Sequence, residues 1–315
     1  MVTYQRILVV INPEQERQIA LERAFKIAEL HPHSRLTLLL SIYDFSYEMT
    51  AMLSSEEREE MRQGVMSQRR EWLDDIVSAY QTKQIEWEIK VVWHNRPFES
   101  IIQEALEQHH DLVVKATHHH NFLQTFIFTP TDWHLLRKCP CPVLLVKEGH
   151  WKRGGNMIAA INCSSDDPDQ KRLNERITQE GSDIAELLGA NLYLVNTYPG
   201  TPMNVAIELP EFDPHAYNEA IRHHHENLLL SHADKFGIGH LWTRVAEGLP
   251  EEVLPDLAEE LNANLMVMGC VGRTGLSAAL LGNTAEHVVD RLSCDLLILK
   301  PADYICPVES RRSQS

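Results

Sequence analysis

Residues 264–300 read NLMVMGCVGRTGLSAALLGNTAEHVVDRLSCDLLILK, and residues 111–147 read DLVVKATHHHNFLQTFIFTPTDWHLLRKCPCPVLLVK. With Cys141 set against Cys294, an offset of 294 − 141 = 153, the two stretches align without a gap. Leu112 meets Leu265, Leu123 meets Leu276, Thr131 meets Thr284, His134 meets His287 and Lys147 meets Lys300. The match runs upstream, where Pro97, Glu99 and Ala105 meet Pro250, Glu252 and Ala258. Self-similarity at so long a period marks a duplicated domain, because solenoid repeats are far shorter. Only one copy keeps its glycines: Gly269, Gly272 and Gly282 stand opposite Ala116, His119 and Thr129. Glycines let a backbone approach a ligand closely and turn its N–H groups outward. One half is built to hold an anion, and the other has lost the means.

Length agrees with the duplication, since 315 residues make two domains at roughly 150 residues each. The expected boundary lies near Gly149–Gly155, giving domains 1–150 and 151–315. A net charge of −16 and a pI near 5.5 argue against nonspecific binding to nucleic acid or anionic membrane, which needs a basic face. No apolar run reaches the length of a membrane span. The N-terminal stretch MVTYQRILVVINPEQE lacks a basic flank and a cleavage site, so no secretory signal is expected. The six cysteines lie on or near apolar strands and are expected as free thiols in a reducing cytoplasm.

The two halves repeat one order of elements. Arg6–Ile11 is a β-branched apolar run ending at Asn12, and Met157–Ile161 ends likewise at Asn162. Such runs read as strands buried on both faces. Strands are also expected at Leu36–Tyr43, Ile85–Trp93, Asp111–Lys115 and Val143–Val146. In the second half they fall at Asn191–Asn196, His240–Val245, Leu265–Gly269 and Leu296–Leu299. Between them lie amphipathic segments. Ser54 and Glu57 form a capping-box pattern for a helix reaching Tyr80, and Asp213-Pro214 starts one reaching Lys235. Strands alternating with helices predict an α/β fold, two tandem five-stranded parallel open sheets with helices on both faces.

Gly269-x2-Gly272-x9-Gly282-Asn283 follows directly on a buried strand. Ligands of open α/β sheets sit beyond the carboxyl ends of the strands, where a glycine loop leading into a helix offers donors and a dipole to phosphate. This arrangement resembles the universal stress protein family, whose ATP-binding members carry Gly-x2-Gly-x9-Gly-Ser/Thr at this place. The resemblance covers the whole chain as two tandem family domains. It implies the adenine-nucleotide type of α/β fold and a cytoplasmic stress-response protein. It also implies pairing through the last strand, within the chain or in a homodimer. By position, Gly269, Gly272 and Gly282 would shape the phosphate loop. Asn283 stands at the hydroxyl position, and Thr284 offers a hydroxyl one residue later. Asn162 stands where those members carry an aspartate after the first strand, and Val195 would line the base pocket. The cofactor so implied is ATP, in the second domain alone. In the first domain Pro130 has no N–H to give, and Phe122, Phe126, Ile127, Phe128 and Trp133 either plug the equivalent cavity or face the other half.

Other clusters have plainer readings beside the chemical ones. His118–His120 and His223–His225 suggest a metal, but consecutive side chains point apart, and the second triplet falls on a helix expected to be solvated. Cys139-Pro-Cys141 lacks redox spacing and reads as packing. Asp166, Asp167 and Asp169 either hold magnesium beside phosphate or cap the next helix. No metal centre is expected. The apolar stretch Tyr198–Asp213 has loop length and loop order, as a lid or pocket wall would. The function expected is stress-linked binding or sensing through a nucleotide or phosphate site, without robust turnover. The alternatives are a slow ATPase, a ligand-free interaction scaffold, and a binder of a phosphorylated, lipid-like molecule.

Overall fold

Each apolar run becomes a strand flanked by the helices its polar neighbours allow. The computed structural model describes residues 4–30, 33–47, 54–80, 85–120, 125–127, 129–200, 213–270, 288 and 291–308, with the backbone alone over 118–120 and 125–127. The chain divides into two compact units, the first made of Thr3–His119 and Ile127–Glu148 and the second of Gly149–Tyr304 together with His120–Phe126. The segment from Ile305 belongs with the first unit, where the Cys306 thiol donates to the Lys138 carbonyl at 3.1 Å.

In the first unit the strands are β1 (Arg6–Val10), β2 (Arg35–Ile42), β3 (Glu86–Trp93) and β4 (Leu112–Ala116). After β4 come the short strands β5 (His118–His120) and β6 (Thr125–Ile127), which pair with each other, and then β7 (Val143–Val146). The main strands run in the order β7-β4-β1-β2-β3, and their pairings are parallel. The helices are α1 (Ile19–Glu29), α2 (Ser55–Ser78), α3 (Pro97–Glu107) and α4 (Pro130–Lys138). Right-handed crossovers place α1 and α2 on one face and α3 and α4 on the other. β1 and β4 are covered on both faces and are buried at Ile7, Leu8, Val9, Leu112, Val113 and Val114. β3 ends the row and is only half buried, as its alternating sequence predicts.

The second unit repeats this plan with β8 (Asn156–Ala160), β9 (Asn191–Tyr198), β10 (Thr243–Glu247), β11 (Ala263–Gly269) and β12 (Asp295–Leu299). They lie in the order β10-β9-β8-β11-β12, again parallel. Its described helices are α5 (Pro168–Leu188), α6 (Pro214–Lys235) and α7 (Pro250–Glu260). The predicted caps form. Ser54 and Glu57 make a reciprocal capping box on α2, and the Asp213 carboxylate accepts from the N–H groups of His215 and Ala216. One strand starts later than expected. His240–Trp242 make a 3-10 turn, whose Thr243 hydroxyl donates to the His240 carbonyl, so β10 begins at Thr243.

The registers fix which residues correspond between the units. Ile7 pairs with Leu112 and Leu36, as Met157 pairs with Leu265 and Leu192. Hence Asn12 corresponds to Asn162, Leu39 to Val195 and Leu40 to Asn196. The backbone agrees: Ile11 N–H donates to the Leu39 carbonyl at 3.0 Å, and Ile161 N–H to the Val195 carbonyl at 2.9 Å. In both units the strand order reverses beside the first strand, and that reversal opens the crevice in which α/β ligands bind.

Candidate functional site

The crevice of the second unit is a cavity of about 390 Å³, within the usual range for small-molecule sites. Its apolar walls come from the ends of β8, β9 and β11 and from α7, with Ile161, Val195, Met268 and Leu254. Polar groups gather at one side, on Asn162, Ser164, Gln170 and Thr197. Tyr198-Pro199 and Gly248–Pro250 complete the wall. The structure therefore brings together Asn162, Val195 and Gly269 of the expected site residues. Gly272, Gly282, Asn283 and Thr284 lie outside the described residues, as do residues 201–212 of the expected lid and Phe122 and Phe128 of the first half.

Asn162 is exposed, and its turn is held from three directions. Its Oδ1 accepts from the Ser164 N–H at 3.3 Å and the Ser164 hydroxyl at 2.9 Å. The Asn174 amide brackets its backbone, accepting from Asn162 N–H at 3.1 Å and donating to its carbonyl at 2.7 Å. Gln170 donates to the same Asn174 oxygen at 2.8 Å. One residue on, Cys163 N–H donates to Asn196 Oδ1 at 2.9 Å. In the first unit Gln18 brackets Asn12, at 3.3 and 2.7 Å.

Gly269 has a packing reason. A Cβ there would lie 2.5 Å from Leu173 Cδ2 and 2.8 Å from Leu173 Cγ, so a side chain would push α5 off the end of β11. Gly248, not singled out from the sequence, takes a φ of +131°, a region reserved for glycine. Its N–H donates to the Tyr198 carbonyl at 2.9 Å. Asn174 and Asn196 were missed too, while Tyr198 was marked as the start of the expected lid or pocket wall. Asn196 had a legible signal, because a carboxamide inside the apolar run LYLVNTY is buried and must find partners.

Burial, with the Glu247 carboxylate adding to it, raises the Tyr198 hydroxyl above its ordinary value. Burial pushes the Cys163 thiol up to about 12, so at neutral pH it is protonated and a poor nucleophile. The acidic cluster divides among nearby partners. Asp167 caps α5 through Asp169 N–H at 2.9 Å, Asp166 pairs with Lys171 at 3.1 Å, and Asp169 pairs with Arg172. Among the described residues no group of three or more His, Cys, Asp or Glu is placed to hold a metal ion.

One expectation changes here. The triplet His223–His225 was expected on a solvated face, yet His225 is buried. Helical periodicity turns it toward β9, while His223 and His224 stay exposed. In the first unit the position of the glycine loop's following helix is filled from within. Lys115 is buried and reaches Asp132 at 2.6 Å. Asp132 caps α4 by accepting from the Thr129 N–H at 2.7 Å and the Thr129 hydroxyl at 2.8 Å. The second half carries Met268 and Ala285 at these two positions. Cys139 and Cys141, both buried, lie with their sulfurs 3.7 Å apart.

A doubly repeated parallel fold with its crevice at the first strand defines the class, and comparison with known proteins agrees. The profile of the universal stress protein family matches residues 3–147 and 168–300. The chain belongs to that family, and membership supports a role in the response to stress. It is 53% identical over 312 residues, 98% of each chain, to Universal stress protein E of Escherichia coli strain K12. Identity to the Universal stress protein E homolog of Haemophilus influenzae is 45%, covering 95% of this chain and 98% of the relative. Among solved structures, PA1789 of Pseudomonas aeruginosa PAO1 superposes with a TM-score of 0.71 at 30% identity, covering 95% of this chain and 94% of that one. No helix among the described residues is long and apolar enough to cross a membrane.

Proposed function

We propose that the second of the two tandem domains, 151–315, binds a nucleotide, ATP in the first instance, and that the protein acts in the cytoplasm as a stress-linked sensor. The observation that carries this is the convergence of Asn162, Val195 and Gly269 on one cavity at the sheet's switch point. Its form suits a nucleotide. Ile161, Val195 and Met268 offer an apolar slot for a flat base, and Asn162 and Gln170 offer polar groups to a sugar. Gly269 opens the loop whose Gly272, Gly282, Asn283 and Thr284 follow in the sequence. Backbone N–H groups of such a loop cradle phosphate. The first domain keeps the fold without the site, because the Asp132 carboxylate already occupies its helix terminus.

Binding rather than turnover fits the groups at hand. Phosphoryl transfer needs a positioned water or base and a metal ion, and the acids nearest the cavity are committed to a helix cap and to Lys171 and Arg172. Native mass spectrometry of the intact protein taken from its own cells tests the reading. A co-purifying adenine nucleotide, lost in Gly272→Val, is the expected result. A phosphorylated lipid, favoured by the apolar lining of Leu249 and Leu254, would reassign the ligand. An empty protein that ignores added ATP would refute the proposal.

A further inference from the structure

Asn196 sits at the centre of β9, fully buried, with its amide orientation fixed. Cys163 N–H can only donate, so the oxygen of Asn196 faces it at 2.9 Å and the NH2 faces the other way. There it meets Nδ1 of His225 at 2.9 Å. An amide NH2 has no acceptor to offer, so Nδ1 must carry a lone pair and the ring proton must sit on Nε2. The geometry admits only neutral imidazole. His225 also stacks on Tyr198, ring centroids 5.1 Å apart and planes 23° from parallel, and Tyr198 forms part of the cavity wall.

From this we infer that His225 is a positioning residue for the nucleotide site: while neutral it braces the Asn162–Ser164 turn through Asn196 and holds Tyr198, and on protonation it releases both and weakens binding. The inference rests on the nucleotide reading of the cavity given above.

Comparison of the two halves gives independent support. The position of Asn196 in the first unit is Leu40, which can form no such bridge, and that unit is the one without the glycines. The brace occurs where the site occurs. His232, about two turns further along α6, shows what a mere core histidine looks like. Its Nε2 lies 2.8 Å from the Thr178 oxygen, whose hydrogen goes to the Asn174 carbonyl at 2.9 Å. His232 is thus a donor, a role open to the ring charged or neutral.

The groups around His225 favour the neutral ring at neutral pH. On α6, His224 lies edge-on at 5.8 Å, with Arg222 and Glu226 engaged with each other at 3.3 Å. From β9 the ring meets Tyr198 and Asn196, and from β10 the nearest acid, Glu247, acts on Tyr198. Among the described residues no carboxylate pairs with His225. Burial, then the neighbouring His224, holds its titration below the ordinary 6.5. The sign follows: a histidine with a lowered folded value braces the fold above that value and loses the brace as pH falls through it.

Amide hydrogen exchange at Cys163 in the full chain reads the brace without any ligand, and ATP affinity reads its consequence. Protection at Cys163, corrected for intrinsic pH dependence, is expected to fall about tenfold as His225 titrates. ATP affinity is expected to fall about five- to tenfold over the same interval. In His225→Gln, a neutral acceptor, both are expected to lose this step, with ATP's own ionisation common to both proteins. Asn196→Leu, the residue of the first half, is expected to leave Cys163 unprotected at every pH. Protection that ignores the titration of His225 would overturn the brace. Affinity that stays level while Cys163 responds would overturn the coupling and leave the nucleotide reading intact. ATP that binds at no pH while Cys163 still responds would overturn the nucleotide reading and support the brace.

Discussion

On the proposed function, Asn162 decides how firmly the second unit grips a nucleotide. Its Oδ1 is committed to Ser164, and its Nδ2 is the amide's donor on a residue that lines the cavity. An aspartate would keep the accepting oxygen in the same turn and exchange that donor for a second acceptor able to take a ribose hydroxyl. Asn162→Asp is therefore expected to fold unchanged and to bind ATP about three- to tenfold more tightly, a gain on the scale of one charged hydrogen bond. Calorimetric titration checks this, and weaker binding would mean that the sugar does not lie against this turn. At this scale the sequence was partly readable. Asn162, Val195 and Gly269 were singled out by position through the family resemblance, and all three line the cavity. Asn174 was hidden, since its clamp depends on how α5 lies along β8, which no local pattern encodes. Gly269 showed only half its reason, because Leu173 lies nearly a hundred residues away in sequence.

The elements show how the same plan was emptied of its site in one half. β4 and β11 end on Ala116 and Gly269, and Asp132, in the first turn of α4, corresponds in sequence to Ala285. Asp132 caps α4 and neutralises Lys115 at 2.6 Å. Both side chains are buried, so removing one partner strands the other. Asp132→Ala is expected to cost about 3–5 kcal/mol in urea unfolding. Replacing both by the second half's residues, Lys115→Met with Asp132→Ala, is expected to restore more than half of that, since an apolar pair avoids the desolvation of a charge. A double variant no more stable than the single one would mean that the cap on Thr129, rather than the ion pair, carries the energy. Strand and helix positions were legible to within a few residues because burial and turn chemistry agree there. β10 was misplaced because His240–Trp242 has the composition of a strand but follows Gly239 into a tight turn. His225 was misread because α6 has little apolar contrast between its faces, so the sequence did not mark which side turns inward.

For the molecule as a whole, the duplication was the most readable feature, since Pro97–Lys147 match Pro250–Lys300 without a gap at an offset of 153, which survives only if both copies keep one backbone there. What could not be read was the asymmetry behind it. The loss of glycines in one half was visible, while the Lys115–Asp132 ion pair of the first unit and the Asn196–His225 hydrogen bond of the second are tertiary contacts that no local pattern encodes. The central claim is that one crevice of two binds a nucleotide. Mapping amide shifts on the intact chain during ATP addition tests it most directly. The account predicts saturation at one ATP per chain, with shifts at Asn162, Val195, Tyr198 and Met268 and none along Leu112–Ala116. Shifts centred on Ala116 and Asp132, or no saturable shifts at all, would contradict it.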